Sequence, residues 1–240
     1  MSFSPKNHKN ELLFVPLGGA GEIGMNFNMY HLDGKWVIVD CGCGFAEGGQ
    51  CDTNAAQWFA YCRRELDAES KRWMAALPRR IEFAIGDVRI AAVHGAPSRI
   101  NRFVFGSTPE AELAAEFASL RVDGIVAGHS GIPFVQDFGA GFWLNAGAIG
   151  MPANDGTPRV WYAVLRPNDN DLAIEIRPLR YDWTSAAGKM RRAGLPAGYA
   201  AALESGLWDS CEILPPHEAT QRGILLKSTS FSWFPARRAA

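Results

Sequence analysis

The chain has 240 residues, 48% of them hydrophobic, with 24 basic and 25 acidic side chains and a formal net charge of -1. That length and apolar content suffice for one large α/β domain or two small ones, with a core that needs no covalent staples. The balanced charge excludes an overall electrostatic footprint for nucleic acid or for an acidic membrane surface and leaves room for a local basic patch alone.

Five cysteines, Cys41, Cys43, Cys51, Cys62 and Cys211, form no C-x-x-C pair and no zinc-finger spacing. Their odd number points to a reducing, cytoplasmic compartment. Residues 1–10 are polar, and the apolar stretch from Leu12 to Leu17 is too short for a signal-peptide core or a membrane span. A soluble protein with no membrane partner is expected.

Leu12 to Val15 reads as a strand that runs into a glycine cluster. Met25, Phe27 and Met29 alternate with polar neighbours, Asp33-Gly34 is a hairpin signal, and Trp36 to Val39 is the returning strand. From Asn54 to Ala76 apolar residues recur at helical spacing, with Thr53 or Asn54 as cap, Pro78 as stop and a break near Asp67. Ile81 to Ile85 and Val88 to Val93 flank Gly86-Asp87 as a second hairpin. Pro109 to Leu120 reads as a helix capped by Thr108, with Pro109 at the first helical position. Strands are expected at Gly124 to Ala127, Phe142 to Asn145, Arg159 to Leu165 and Leu172 to Pro178, then helix at Ser185 to Arg192 and Pro196 to Ser205. The polar, basic stretch from His217 to Ala240 is expected to dock poorly.

Two of these strands end in a histidine against glycine, at Val93-His94-Gly95 and at Gly128-His129-Ser130-Gly131. Side chains at the carboxyl ends of buried strands face the crevice where α/β sheets bind ligands. Neutral imidazoles are ready ligands for a divalent metal, and glycines let backbone approach an ion or phosphate. For the pair in matching contexts a metal site is the expectation. Asn145 at the end of another strand either points into the same crevice or shapes a turn.

Gly19-Ala20-Gly21-Glu22-Ile23-Gly24 matches the dinucleotide fingerprint G-x-G-x-x-G, with Asp40 near the ribose-binding position. The reading fails because the residues between Gly24 and Asp40 alternate and turn where that fold needs a long helix.

Residues 1 to 47 resemble the amino terminus of ribonuclease J, a metallo-β-lactamase-fold nuclease, through Leu13-Phe14-Val15-Pro16-Leu17-Gly18-Gly19-Ala20-Gly21-Glu22-Ile23-Gly24 and Val37-Ile38-Val39-Asp40-Cys41-Gly42. That family's H-x-H-x-D-H metal segment has no counterpart here. Residues from about 49 to 225 resemble the carboxyl-terminal part of a calcineurin-like metallophosphoesterase. Gly49-Gln50-Cys51-Asp52 matches G-N-[HC]-[DE], His94-Gly95 matches H-G, and Gly128-His129-Ser130-Gly131-Ile132-Pro133 matches G-H-T-H-x-P. Leu144-Asn145-Ala146-Gly147 to Gly150 resembles the N-P-G-S-x-G that follows.

The second resemblance implies an incomplete four-layer α/β/β/α metallophosphoesterase-like sandwich. It divides the chain into a ribonuclease J-like segment (1–47), a truncated phosphoesterase domain (48–225) and a tail (226–240). It also implies a site using Mn²⁺ or another divalent ion, with His94 and His129 as ligands and Gln50 in place of the family's asparagine. Gly131 replaces a further histidine ligand. The upstream D-x-H and G-D motifs are missing, and Gly86-Asp87 lies in the wrong place to replace them. Two imidazoles and one amide of a different length fall short of a catalytic centre with three good protein ligands. The implied function is an impaired metal-dependent phosphoesterase acting on a small phosphorylated substrate. The alternatives are a non-catalytic remnant or interaction module, and a ribonuclease J-related RNA-processing factor.

Overall fold

The computed structural model describes residues 13–16, 26–32, 35–41, 53–76, 78–148 and 150–234. Strands β1 (Leu13–Pro16), β2 (Asn26–Leu32) and β3 (Lys35–Cys41) form an antiparallel meander. Leu32 pairs with Lys35, so β2 and β3 have the register expected of a hairpin across positions 33 and 34.

The helical stretch is divided, as expected, into α1 (Thr53–Glu65) and α2 (Ala68–Ala75). The break falls at Asp67, whose carboxylate accepts a 2.7 Å bond from the Ser70 amide and so caps α2. Strands β4 (Arg80–Ile85) and β5 (Val88–Val93) form the expected hairpin, with Gly86 at φ 59° in the turn. Helix α3 (Glu110–Phe117) is shorter than expected, and Thr108 is not its cap. The Thr108 hydroxyl instead accepts from the Phe105 amide, 3.0 Å away, and Pro109 occupies the cap position.

The remaining elements are β6 (Gly124–Ala127), β7 (Phe134–Asp137), β8 (Phe142–Asn145), β9 (Val160–Pro167), β10 (Leu172–Leu179), α4 (Trp183–Arg192), α5 (Ala197–Ser205), α6 (Pro216–Thr220) and β11 (Thr229–Trp233). Two sheets result, in the orders β1-β2-β3-β9-β10-β11 and β4-β5-β6-β8-β7. The first is antiparallel throughout. In the second, β5, β6 and β8 run parallel.

The period-2 alternation of the strands sorts side chains between two cores. Ile90, Ala92, Val126, Phe142 and Leu144 face the first sheet's Trp161, Ala163, Leu165, Leu172, Ile174 and Ile176, filling the space between the sheets. Their neighbours Ala91, Val93, Ile125, Ala127 and Trp143 face the other way, onto Leu113 and Phe117 of α3. Burying each large apolar side chain contributes about 1.5–3 kcal/mol, so this double core is what fixes the ends of β5, β6 and β8 in space.

The three amino-terminal strands join the first sheet through β3, where Trp36 pairs with Leu165, Val37 with Val164 and Ile38 with Ala163. They thereby cover the edge that β9 would otherwise expose. The expectation of a poorly docked tail is corrected for residues 217–234. The Glu218 carboxylate of α6 accepts from both the amide and the hydroxyl of Ser107, and β11 pairs with β10 along its whole length. The stretch is polar because β11 is an edge strand with one buried end, and Trp233 supplies that end.

Candidate functional site

Because β5, β6 and β8 are parallel and adjacent, their carboxyl ends deliver His94, Gly128-His129 and Asn145 to one rim of the sandwich. The Gly128 amide donates to the His94 carbonyl at 2.8 Å, which ties the ends of β5 and β6 together. Gly95 must be glycine, since a Cβ there would lie 2.4 Å from the Ile100 carbonyl oxygen. The tight chain reversal after β5 brings residues 99–104 back over the histidines.

His94 Nε2 and His129 Nδ1 lie 3.0 Å apart, with ring planes inclined at 63°. Phe103, 39% exposed, stacks on His129 with ring centroids 4.2 Å apart and shields its face from solvent. Burial, with a smaller contribution from the neighbouring His129, pushes the His94 pKa down to about 3. Burial likewise lowers His129 to about 4, against a backbone hydrogen bond with Asn101 that favours its charged form. Both rings are therefore neutral near pH 7. One of the facing nitrogens donates its proton and the other accepts it, and a neutral ring is the form that binds a metal.

Of the sequence-derived candidates, the structure unites His94 and His129. Gln50 lies outside the described residues, as does the glycine cluster of residues 19–24. Asn145 takes the turn-forming option, accepting from the Gly147 amide at 2.9 Å, and also donates to the Gly128 carbonyl and the Ser130 hydroxyl. The Gly86-Asp87 turn sits at the opposite end of β5 from His94. Sequence reasoning missed Phe103 and Ser130. The signal for Ser130 was its place between a histidine and a glycine at a strand end, and Phe103 carried none.

The 3.0 Å spacing of the two nitrogens approaches the roughly 3.3 Å that two imidazoles span on a tetrahedral ion with bonds of about 2.0–2.1 Å. Among the described residues no group of three His, Cys, Asp or Glu side chains converges. The described residues thus provide two ligands and not the three that a catalytic ion takes.

The metallophosphoesterase of Sphaerobacter thermophilus has a similar structure, with a TM-score of 0.51, 25% sequence identity and coverage of 66% of this chain and 72% of that one. The fold is that of a metallophosphoesterase. A hypothetical protein of Pyrococcus horikoshii is also similar, with a TM-score of 0.58 and 17% identity over 67% of this chain and 63% of that one. No family model matches the chain. At the amino-terminal end, 39 residues are 51% identical to ribonuclease J of Sinorhizobium meliloti, which is 15% of this chain and 7% of that protein. The chain thus spans under two thirds of the Pyrococcus protein and a small fraction of ribonuclease J.

Within the metallophosphoesterase fold the histidine pair lies where parallel strands end. Among the described residues no helix is long and apolar enough to cross a membrane.

Proposed function

We propose that the chain is a phosphoric ester hydrolase of low turnover. It acts on a small phosphomonoester or phosphodiester with Mn²⁺ or a similar divalent ion held by His94, His129 and Gln50. The observation that carries this reading is the pair of neutral imidazoles with facing nitrogens 3.0 Å apart at the ends of adjacent parallel strands. A divalent ion at such a site polarises a phosphoryl oxygen and lowers the pKa of a bound water. The chain's own residues keep the rings unprotonated by burial, and Phe103 covers one ring.

The test is thermal unfolding of the chelator-treated chain with and without Mn²⁺, alongside turnover of an aryl phosphate. A ligand that prefers the folded state raises the melting temperature. The expected result is a rise with Mn²⁺ and slow turnover, both lost in His94→Ala and in His129→Ala. A melt indifferent to metal and no turnover would overturn the reading. That outcome would favour a second one, a non-catalytic scaffold, which is supported by the facing ring nitrogens already satisfying one another.

A further inference from the structure

His129 has a left-handed backbone, φ 66°, although it is not a glycine. The Ser130 amide donates to the Gly128 carbonyl across it at 2.8 Å, which closes a three-residue turn of the γ type with positive φ at its centre. This form of the turn is rare and strained, and it persists where the surroundings over-determine it. The ring itself meets Phe103, His94 and the Asn101 backbone, and the turn beneath it is braced by one side chain.

Asn145, fully buried at the end of β8, spans the turn. Its Nδ2 donates to the Gly128 carbonyl at 2.9 Å on one side of His129 and to the Ser130 hydroxyl at 2.8 Å on the other. Its Oδ1 accepts from the Gly147 amide at 2.9 Å, which fixes which end of the amide is which. The Ser130 hydroxyl in turn donates a hydrogen bond to the Val104 carbonyl at 2.5 Å, so the clamp extends to the segment that carries Phe103. Both amide hydrogens of this side chain hold the turn, and its oxygen anchors the amide to Gly147.

We propose that Asn145 is the positioning residue of the histidine pair, a strut that holds the strained turn so that His129 Nδ1 faces His94 Nε2. The inference rests on the pair being the working centre proposed above. It concerns how the rings are aimed, whether or not a metal reaches them.

The test uses the full chain carrying ¹⁵N-labelled histidine, metal-free at pH 8, where both rings are neutral. The parent is expected to show one fixed tautomer for each of the two rings. Asn145→Ala should average the His129 ring-nitrogen signals between tautomers. Leu144→Ala, which opens a cavity on the same strand, should leave them in place at comparable loss of stability. Ser130→Ala removes one of the two supports and should shift the same signals part of the way. His129 signals in Asn145→Ala that move no more than in Leu144→Ala would overturn the proposal. Should Asn145→Ala show no cooperative unfolding, unchanged signals in Ser130→Ala would do so instead.

A parallel Mn²⁺ titration separates the two readings. The Asn145 substitution should weaken binding by about tenfold or more, the usual effect of losing a group that orients a ligand. Tautomer averaging in a chain whose parent binds no Mn²⁺ would uphold the strut and remove the metal.

Discussion

Trp208 crowds the space that a side chain at Gly131 would enter. A Cβ at position 131 would lie 3.3 Å from Cζ2 of the indole and 3.6 Å from Cη2. The ring is held from two directions, by Nε1 donating to the Pro152 carbonyl at 2.6 Å and by the Trp208 amide donating to the Asn154 side chain at 2.8 Å. It packs with Phe105 and Leu214 in an apolar cluster joined by Ile132, three residues after His129 in sequence. The place where the family motif carries a second histidine is therefore walled by carbon.

Restoring that histidine should fail. Gly131 has φ 69°, a conformation that costs an ordinary residue about 1–2 kcal/mol, and the new side chain must also displace Trp208. Gly131→His is expected to lower stability by about 2–4 kcal/mol, strain and repacking together, and to add no affinity for Mn²⁺. Urea midpoints with a metal titration check this. A variant of parental stability that binds metal more tightly would show that the indole yields.

The histidine pair should make the metal-free chain acid-sensitive from about pH 6.5 downward. Both folded pKa values lie below the ordinary 6.5, at about 3 for His94 and about 4 for His129. Above pH 6.5 the rings are neutral in both states and contribute no pH dependence. As the pH falls, the unfolded chain takes up protons first, so stability declines until the folded rings titrate. The slope is at most about 1.4 kcal/mol per pH unit for each ring. Stability measured by urea between pH 7 and pH 4.5 should fall more steeply in the parent than in the His94→Gln/His129→Asn variant. Parallel pH profiles would mean that the folded rings accept protons freely.

Glu116 should matter to the segment over the site although it touches neither histidine. Its nearly buried carboxylate accepts from the Ser98 amide at 2.9 Å, the Ser98 hydroxyl at 2.5 Å and Arg102 Nη1 at 2.5 Å. Burial raises its pKa, but the bonds from Ser98 and the Arg102 guanidinium outweigh this and hold it below the usual value. Glu116→Ala leaves those donors without their shared acceptor and should cost about 2–4 kcal/mol. Because Ser98 and Arg102 bracket Asn101, amide exchange in residues 98–103 should also accelerate. An Ala variant within 0.5 kcal/mol of the parent, the range expected of a neutral surface change, would contradict this.

Legibility in the sequence followed burial. Strands buried on both faces, such as β5 and β6, read clearly as apolar runs, and the glycines after them marked where His94 and His129 emerge. The hairpins announced themselves through Asp33-Gly34 and Gly86-Asp87. What stayed hidden depends on long-range partners. β7 is half-buried and lacks a clean alternation, and it is a strand because β8 lies beside it. Asn145 carries no local sign that its amide meets a loop 15 residues earlier. Phe103 could not be placed against His129 without the reversal that Gly95 permits.

The sharpest test of the carboxyl-terminal region compares two adjacent aromatic residues. Trp233, the last residue of β11, is 6% exposed, pairs with Leu172 of β10 and lies with its ring centroid 5.3 Å from that of Phe142 in the facing sheet. It therefore bridges the two sheets from an edge strand. Phe234, the next residue, is 64% exposed. Trp233→Ala should cost about 3–5 kcal/mol, the usual loss for truncating a buried aromatic, while Phe234→Ala should stay within about 0.5 kcal/mol of the parent. Urea midpoints of the two variants decide the matter. Equal midpoints would restore the reading of an undocked tail, because a chain end that packs on nothing cannot distinguish its neighbours. A wide gap would mean that β11 completes the inter-sheet core, and through Phe142 it would then support the strand that ends in Asn145.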